Sequence, residues 1–148
     1  MDDLIVKQAK EFLDTEDTLS AMCNITSLLY HELGFVNWVG YYFYKNGKLS
    51  LGPFQGKVAC SSIPVGKGVC GTAFQKKMLM NIIDVTRFEG HIACDPDSKS
   101  ELVVPLIYEN KIFGVLDIDS DNYRRFGSKE EDIVSAVADL IAKKLAGK

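Results

Sequence analysis

The chain has 148 residues, with an apolar fraction of 47%, a charged fraction of 25% and a net charge of -3. That length supports one domain (1–148) with a full hydrophobic core, and the mild acidity leaves no basic footprint for nucleic acid or an anionic membrane. No apolar run approaches the roughly 20 residues of a membrane span, and Met1-Asp2-Asp3-Leu4 carries acids where a signal peptide has bases, so a cytoplasmic protein is expected.

A first helix is expected over 2–14, where Ile5, Ala9, Phe12 and Leu13 recur at helical spacing. A stronger one spans 17–33, with Leu19, Met22, Cys23, Leu29, Tyr30 and Leu33 on one stripe and Gly34 as its stop. Ile25 and Leu28 lie off that stripe. The second apolar face they form points to contact with another copy of the chain, and hence to a homodimer.

From Val36 the pattern turns to β. Residues 36–45 and 48–53 read as strands joined by the hairpin signal Asn46-Gly47. A short strand near 58–63, a short helix over 71–77 and a strand over 79–83 follow. Residues 84–100, with Gly90, Pro96 and many polar side chains, read as a long loop of the kind that is usually functional. A second hairpin pairs 101–108 with 111–118 around Glu109-Asn110. Ser128-Lys129-Glu130-Glu131 reads as a capping box that opens a final helix, buried along Ile133, Val134, Val137, Leu140, Ile141 and Leu145. Helices flanking a central antiparallel sheet make an α+β architecture.

In the cytosol, structural disulfides are rare, so the four cysteines point to redox chemistry, metal binding or burial. Cys23 lies on the apolar stripe of the second helix and reads as a small buried hydrophobe. Cys60, Cys70 and Cys94 lie instead in segments rich in glycine or polar residues. Gly66-Lys-Gly68-Val-Cys-Gly71 has the letters of a dinucleotide fingerprint, but it follows Pro64 and sits in no βαβ unit. It reads better as a glycine-lined turn presenting Cys70. Residues 52–57 fall short of a phosphate loop, with Val58 where Ser or Thr belongs. Asp117, Asp119, Asp121 and Asn122 resemble a calcium loop that lacks its glycine and has Ser128 in place of the bidentate Glu. Cys60, Cys70, His91 and Cys94 supply zinc-type donors, of which only His91 and Cys94 are a close pair.

The carboxylates are more pointed. Asp117 and Asp119 alternate with Leu116 and Ile118, so both project from one strand face. Glu101, on the partner strand, can approach the same end. Either this is a strand end emerging into solvent, or three acids converge in a partly apolar site and at least one holds a proton near neutral pH. Trp38 and Tyr42 share a strand face, with Gly40 between them leaving open space. They read as core aromatics or as a wall for an apolar methyl-sulfur group. Thiols able to pair, beside protonated carboxyls, suit the reduction of an oxidised sulfur compound.

A family resemblance joins these residues. Asn-Trp-Val-Gly-Tyr-Tyr (37–42), Leu-Gly-Pro-Phe-Gln-Gly-Lys (51–57), Ala-Cys (59–60), Ile-Pro-Val-Gly-Lys-Gly-Val-Cys-Gly-Thr-Ala (63–73), Gly-His-Ile-Ala-Cys-Asp (90–95), Ser-Glu-Leu-Val-Val-Pro-Leu (100–106) and Gly-Val-Leu-Asp-Ile-Asp-Ser (114–120) cover residues 37 to about 128. Together they resemble the free methionine-(R)-sulfoxide reductases, single-domain proteins of the GAF fold with a central antiparallel sheet flanked by N- and C-terminal helices. The Val-Pro-Leu and Gly-Val-Leu elements recur in many GAF domains; the three cysteines with Gly-His-Ile-Ala-Cys-Asp are far more specific.

The resemblance implies that Cys94 is the nucleophile, Cys60 the main resolving thiol and Cys70 a second one. It also implies that Glu101, Asp117 and Asp119 handle the sulfoxide oxygen, with Trp38 and Tyr42 around the thioether. The implied substrate is free methionine sulfoxide, the reductant thioredoxin and the setting oxidative stress repair, with no metal or organic cofactor. The residues by themselves leave open whether Cys60 or Cys70 resolves first and whether Glu101 or Asp119 donates the proton. His91 is a candidate for lowering the thiolate pKa. Two competing classes are a GAF-type small-molecule sensor and a non-catalytic redox switch. The carboxylate cluster argues for chemistry, because neither needs a proton donor.

Overall fold

A computed structural model describes residues 3–92 and 94–148. Asp2, expected in the first helix, and Ala93, within the 90–95 motif, lie outside the described residues. Helices α1 (Asp3–Thr15) and α2 (Thr18–Leu33) precede strands β1 (Trp38–Lys45), β2 (Lys48–Gly56) and β3 (Ser62–Pro64). Then come α3 (Gly68–Lys76), β4 (Met80–Ile82), a 3-10 turn (Val85–Arg87), β5 (Ser100–Tyr108), β6 (Lys111–Ser120) and α4 (Ser128–Leu145). The strands form one antiparallel sheet in the order β3-β2-β1-β6-β5-β4, the expected α+β architecture. No helix among the described residues is long and apolar enough to cross a membrane.

Turn chemistry sets both hairpins. Asn46 and Gly47 have φ of 52° and 83°, and Glu109 and Asn110 have 48° and 70°. Two consecutive positive-φ residues make the type I′ turn, whose twist matches that of the flanking strands.

Alternation along the central strands divides the interior into two cores. Val39, Tyr41, Leu102, Val104, Leu116 and Ile118 face one way and pack on Ile5, Leu13, Met22, Ile25, Leu29, Val134, Val137 and Ile141 of α1, α2 and α4. Trp38, Tyr42, Val103 and Val115 face the other way, against Val69, Cys70, Ala73 and Phe74 of α3. The acids expected to converge lie on this second face.

Helix α2 is rotated from its expected phase. Its buried residues are Ala21, Met22, Ile25, Thr26 and Leu29, while Leu19 is 60% exposed and Cys23 is exposed rather than buried filler. Counting large apolar letters misplaces the stripe for two physical reasons. Ala21 permits close packing with little side chain to register. Buried Thr26 donates its hydroxyl to the Cys23 carbonyl at 2.6 Å and so needs no water. Ile25 is fully buried within its own chain, so the apolar face expected to meet a second copy is reduced to half-buried Leu28.

Element ends also moved. The N-cap of α4 is Gly127, one residue before the expected box, and Glu130 rather than Glu131 accepts its N–H, at 2.8 Å. The strand expected near 58–63 shrinks to Ser62–Pro64, and α3 begins at Gly68 rather than 71.

Candidate active site

Strand register brings the acids together. Trp38 lies opposite Asp119 and Asp119 opposite Glu101; in the next row Gly40 lies opposite Asp117 and Asp117 opposite Val103. Directly paired residues project from the same sheet face, so all three carboxyls stand beneath α3. Glu101 and Asp117 are only 7% and 5% exposed, which rules out a solvated strand end for both. Asp119, at the rim, is half-buried.

Burial, which disfavours the charged form, dominates the electrostatics. It pushes Glu101 well above the usual carboxylate range, with the Asp117 carboxylate adding to the push. Asp119 rises for the same reason, burial first and Glu101 second. Asp117 is pushed up to about 8 by burial and by Asp119. Its Oδ1 is buried without a hydrogen-bond partner among the described residues.

Cys70 projects from the first turn of α3 onto this floor, its Sγ 3.9 Å from Glu101 Oε2. Burial, then Asp117, pushes its thiol well above the ordinary value, so it is a neutral thiol at physiological pH. His91 places Nε2 3.9 Å from Glu101 Oε1. Burial lowers its pKa, which favours a neutral imidazole.

Cys60 and Cys94 are joined by a disulfide with an S–S distance of 2.00 Å and Cα atoms 5.5 Å apart, across 34 residues of sequence. Both are half-buried. The bond ties the segment after β2 to the loop before β5. In this disulfide form Cys60 and Cys94 are not thiolate ligands, so the zinc set of Cys60, Cys70, His91 and Cys94 is not assembled. Cys70, Glu101 and Asp117 do bring one donor atom each within 4.8 Å of one another. Burial raises the proton affinity of all three, so a cation would compete with protons for them.

The aromatic wall is built from β1. Trp38 stacks on Tyr42 at 6.0 Å and on Phe54 at 5.4 Å. The indole N–H donates to the Lys57 carbonyl at 3.0 Å, and the Tyr42 hydroxyl donates to the Cys60 carbonyl at 2.9 Å. The space expected beside Gly40 is filled: a Cβ there would lie 2.5 Å from both Phe54 Cβ and the Trp38 ring. Gly40 is the gap into which the indole folds. Trp38, Tyr42, Cys70, Cys94, Glu101, Asp117 and Asp119 line one cavity of about 40 Å³. All the residues expected at the site therefore meet there except Cys60, which reaches it through Cys94 and through Tyr42.

One set of contacts was not anticipated. Asn37 Nδ2 donates to Asp95 Oδ2 at 3.2 Å and to Ser98 Oγ at 3.3 Å, and Lys57 pairs with Asp97 at 2.9 Å. Asp-Pro-Asp-Ser is legible as a turn after Cys94, but its partner lies 58 residues away, and no local signal links the two.

The GAF domain family model matches residues 3–145. The free methionine-R-sulfoxide reductase of Escherichia coli is 48% identical over 128 residues, covering 86% of this chain and 78% of the relative. The fRMsr of Staphylococcus aureus, solved in its reduced form, superposes with a TM-score of 0.91 at 44% identity, covering 97% of this chain and 94% of that one. The free methionine-R-sulfoxide reductase of Neisseria meningitidis, solved in complex with its substrate, gives a TM-score of 0.91 at 34% identity over 96% of this chain and 86% of that one. With its fold matched along almost its whole length and two cysteines of its motif paired at the mouth of the acid-floored cavity, the chain belongs to the free methionine-R-sulfoxide reductases, oxidoreductases built on a GAF domain.

Proposed function

We propose that this chain reduces free methionine-(R)-sulfoxide to methionine, with Cys94 as nucleophile and Cys60 as resolving thiol. The observation that carries this is the Cys60–Cys94 pair beside a cavity lined by three carboxyls whose pKa values burial pushes up.

In the reduced protein, the Cys94 thiolate attacks the electrophilic sulfur while Glu101 or Asp119 donates a proton to the oxygen, which leaves the substrate only when protonated. The S–O bond breaks and methionine departs. The oxygen remains on Cys94 as a sulfenic acid, so the substrate sulfur has gained the two electrons that Cys94 has lost. The Cys60 thiolate attacks the Cys94 sulfur, the disulfide forms and the oxygen leaves as water. A dithiol protein of the thioredoxin class then reduces the disulfide by exchange. Cys70, a buried free thiol that lines the same cavity as Cys94, serves as a second resolving thiol. Trp38 and Tyr42 pack against the thioether carbons. The protein acts in the cytoplasm, in the repair of oxidised methionine. A homodimer has less support than the sequence alone offered: half-buried Leu28, with Leu4 and Leu19 exposed on α1 and α2.

The loop over 84–100 supplies His91, Ile92, Cys94, Asp95 and Ser98 to one side of the cavity, and such enclosure suits a free amino acid better than a peptide chain.

The test supplies each sulfoxide epimer, free and within a peptide, with dithiothreitol as reductant. Turnover confined to the free R epimer is expected; equal turnover of peptide-bound substrate, or preference for S, defeats the proposal. Cys94→Ser should lose even the first turnover. Cys60→Ser should complete one turnover and then fail to recycle with thioredoxin.

A further inference from the structure

The geometry points to Asn37 and Asp95 as a positioning pair that holds the Cys94 loop within reach of both the cavity and Cys60, a role that rests on Cys94 being the reactive thiol. Asp95 immediately follows Cys94. One of its carboxylate oxygens, Oδ1, accepts the Asp97 N–H at 2.9 Å, and its carbonyl accepts the Ser98 N–H at 3.2 Å. The residues after Cys94 are thereby closed into a tight turn. The other oxygen, Oδ2, accepts Asn37 Nδ2 at 3.2 Å, and the same amide nitrogen reaches Ser98 Oγ at 3.3 Å. One side-chain amide thus holds both ends of the turn.

The far end of this tie is the catalytic sheet. The Asn37 backbone N–H donates to the Asp119 carbonyl at 2.9 Å, and Trp38 is the next residue. A short chain of hydrogen bonds therefore runs from the strand bearing Asp117 and Asp119 to the neighbour of Cys94. The Lys57–Asp97 ion pair also crosses from the residue after β2 to this turn, but its side chains are 71% and 62% exposed, where such pairs contribute little. The amide's orientation follows from the chemistry. Asn37 Oδ1 is buried and has no partner among the described residues. Turning the amide would set that oxygen against the Asp95 carboxylate. Asn37 therefore leaves an acceptor unsatisfied in order to keep its donor on the turn.

The consequence is a high effective concentration of Cys94 at Cys60 and above the acids, although the two cysteines are 34 residues apart and Cys94 lies in no helix or strand. Misplacing a reacting group by about 1 Å costs up to about 10²-fold in rate.

The experiment measures the potential of the Cys60–Cys94 couple against dithiothreitol, following the disulfide by alkylation and mass of its peptides so that Cys23 and Cys70 do not interfere. It adds the first-turnover rate at saturating methionine sulfoxide. Asn37→Ala should favour the dithiol about tenfold, a rise of about 30 mV for a two-electron couple, and slow the first turnover by about tenfold or more with KM little changed. Asn37→Asp should do at least as much, because two carboxylates then face each other. The double variant Asn37→Asp/Asp95→Asn restores an amide opposite a carboxylate at the same net charge, and should recover both potential and rate. An unchanged potential in Asn37→Ala, or a double variant no better than Asn37→Asp, overturns the role. If the potentials shift and recover as expected in a protein that never turns over methionine sulfoxide, the positioning pair stands and the proposed activity falls.

Discussion

Replacing Glu101 by Gln separates acid catalysis from mere polarity at the floor of the cavity. The amide keeps the size and hydrogen-bonding ability of the side chain but has no acidic proton to give the departing oxygen. A positioned general acid contributes about 10²–10⁴-fold. Asp119 stays nearby with its pKa pushed up mainly by burial, so it remains as a second donor and the expected loss is at the lower end, about 100-fold or about 3 kcal/mol of barrier. The pH profile carries a second signature. The protonated carboxyl is the active form, so the first-turnover rate falls as pH rises through the raised carboxyl values, among which Asp117 lies at about 8. Glu101 also helps to raise Asp119. Without it the surviving donor titrates at lower pH, and the alkaline fall should begin earlier. The assay is rapid-quench formation of methionine by reduced, reductant-free protein from mildly acidic to alkaline pH. Near-wild-type rates with an unmoved alkaline fall would show that Glu101 donates no proton in the rate-limiting step, and would refute the reasoning.

The other expectations concern stability, packing and assembly. Asp117 is held neutral in the folded chain, with a value of about 8 against an ordinary 3.8. The unfolded state therefore binds fewer protons between those values, and folding stability falls as pH rises through that window. Asp117→Asn removes this cost and should stabilise the protein at neutral pH by up to about 4 kcal/mol, at about 1.4 kcal/mol per unit. The gain should vanish at acid pH; urea unfolding at two pH values checks it, and a pH-independent effect counts against it. Gly40→Ala drives a methyl group into Trp38 and Phe54; such overpacking typically costs about 1–3 kcal/mol, and KM should rise as the indole shifts, which thermal unfolding and steady-state kinetics report. Sedimentation at micromolar concentration tests the homodimer, and monomer alone removes it.

Short-range rules made much of this protein legible. Period-two alternation placed Asp117 with Asp119 and Trp38 with Tyr42, because successive strand side chains must point to opposite faces. Asn46-Gly47 marked its hairpin, because few other pairs tolerate two consecutive positive-φ residues. The cysteines and acids identified the chemistry through motif resemblance.

Tertiary structure decided what depends on neighbours distant in sequence. The phase of α2 was set by close packing through Ala21 and a self-satisfied Thr26, which exposed Cys23 and buried Ile25. The space beside Gly40 was filled by an indole from its own strand. Asn37 found its partner 58 residues along the chain. The proton-holding character of the acids was also a tertiary product. A carboxyl's pKa follows its depth in low-dielectric surroundings and the charges beside it, and only the register of β1, β6 and β5 beneath α3 sets both for Glu101, Asp117 and Asp119.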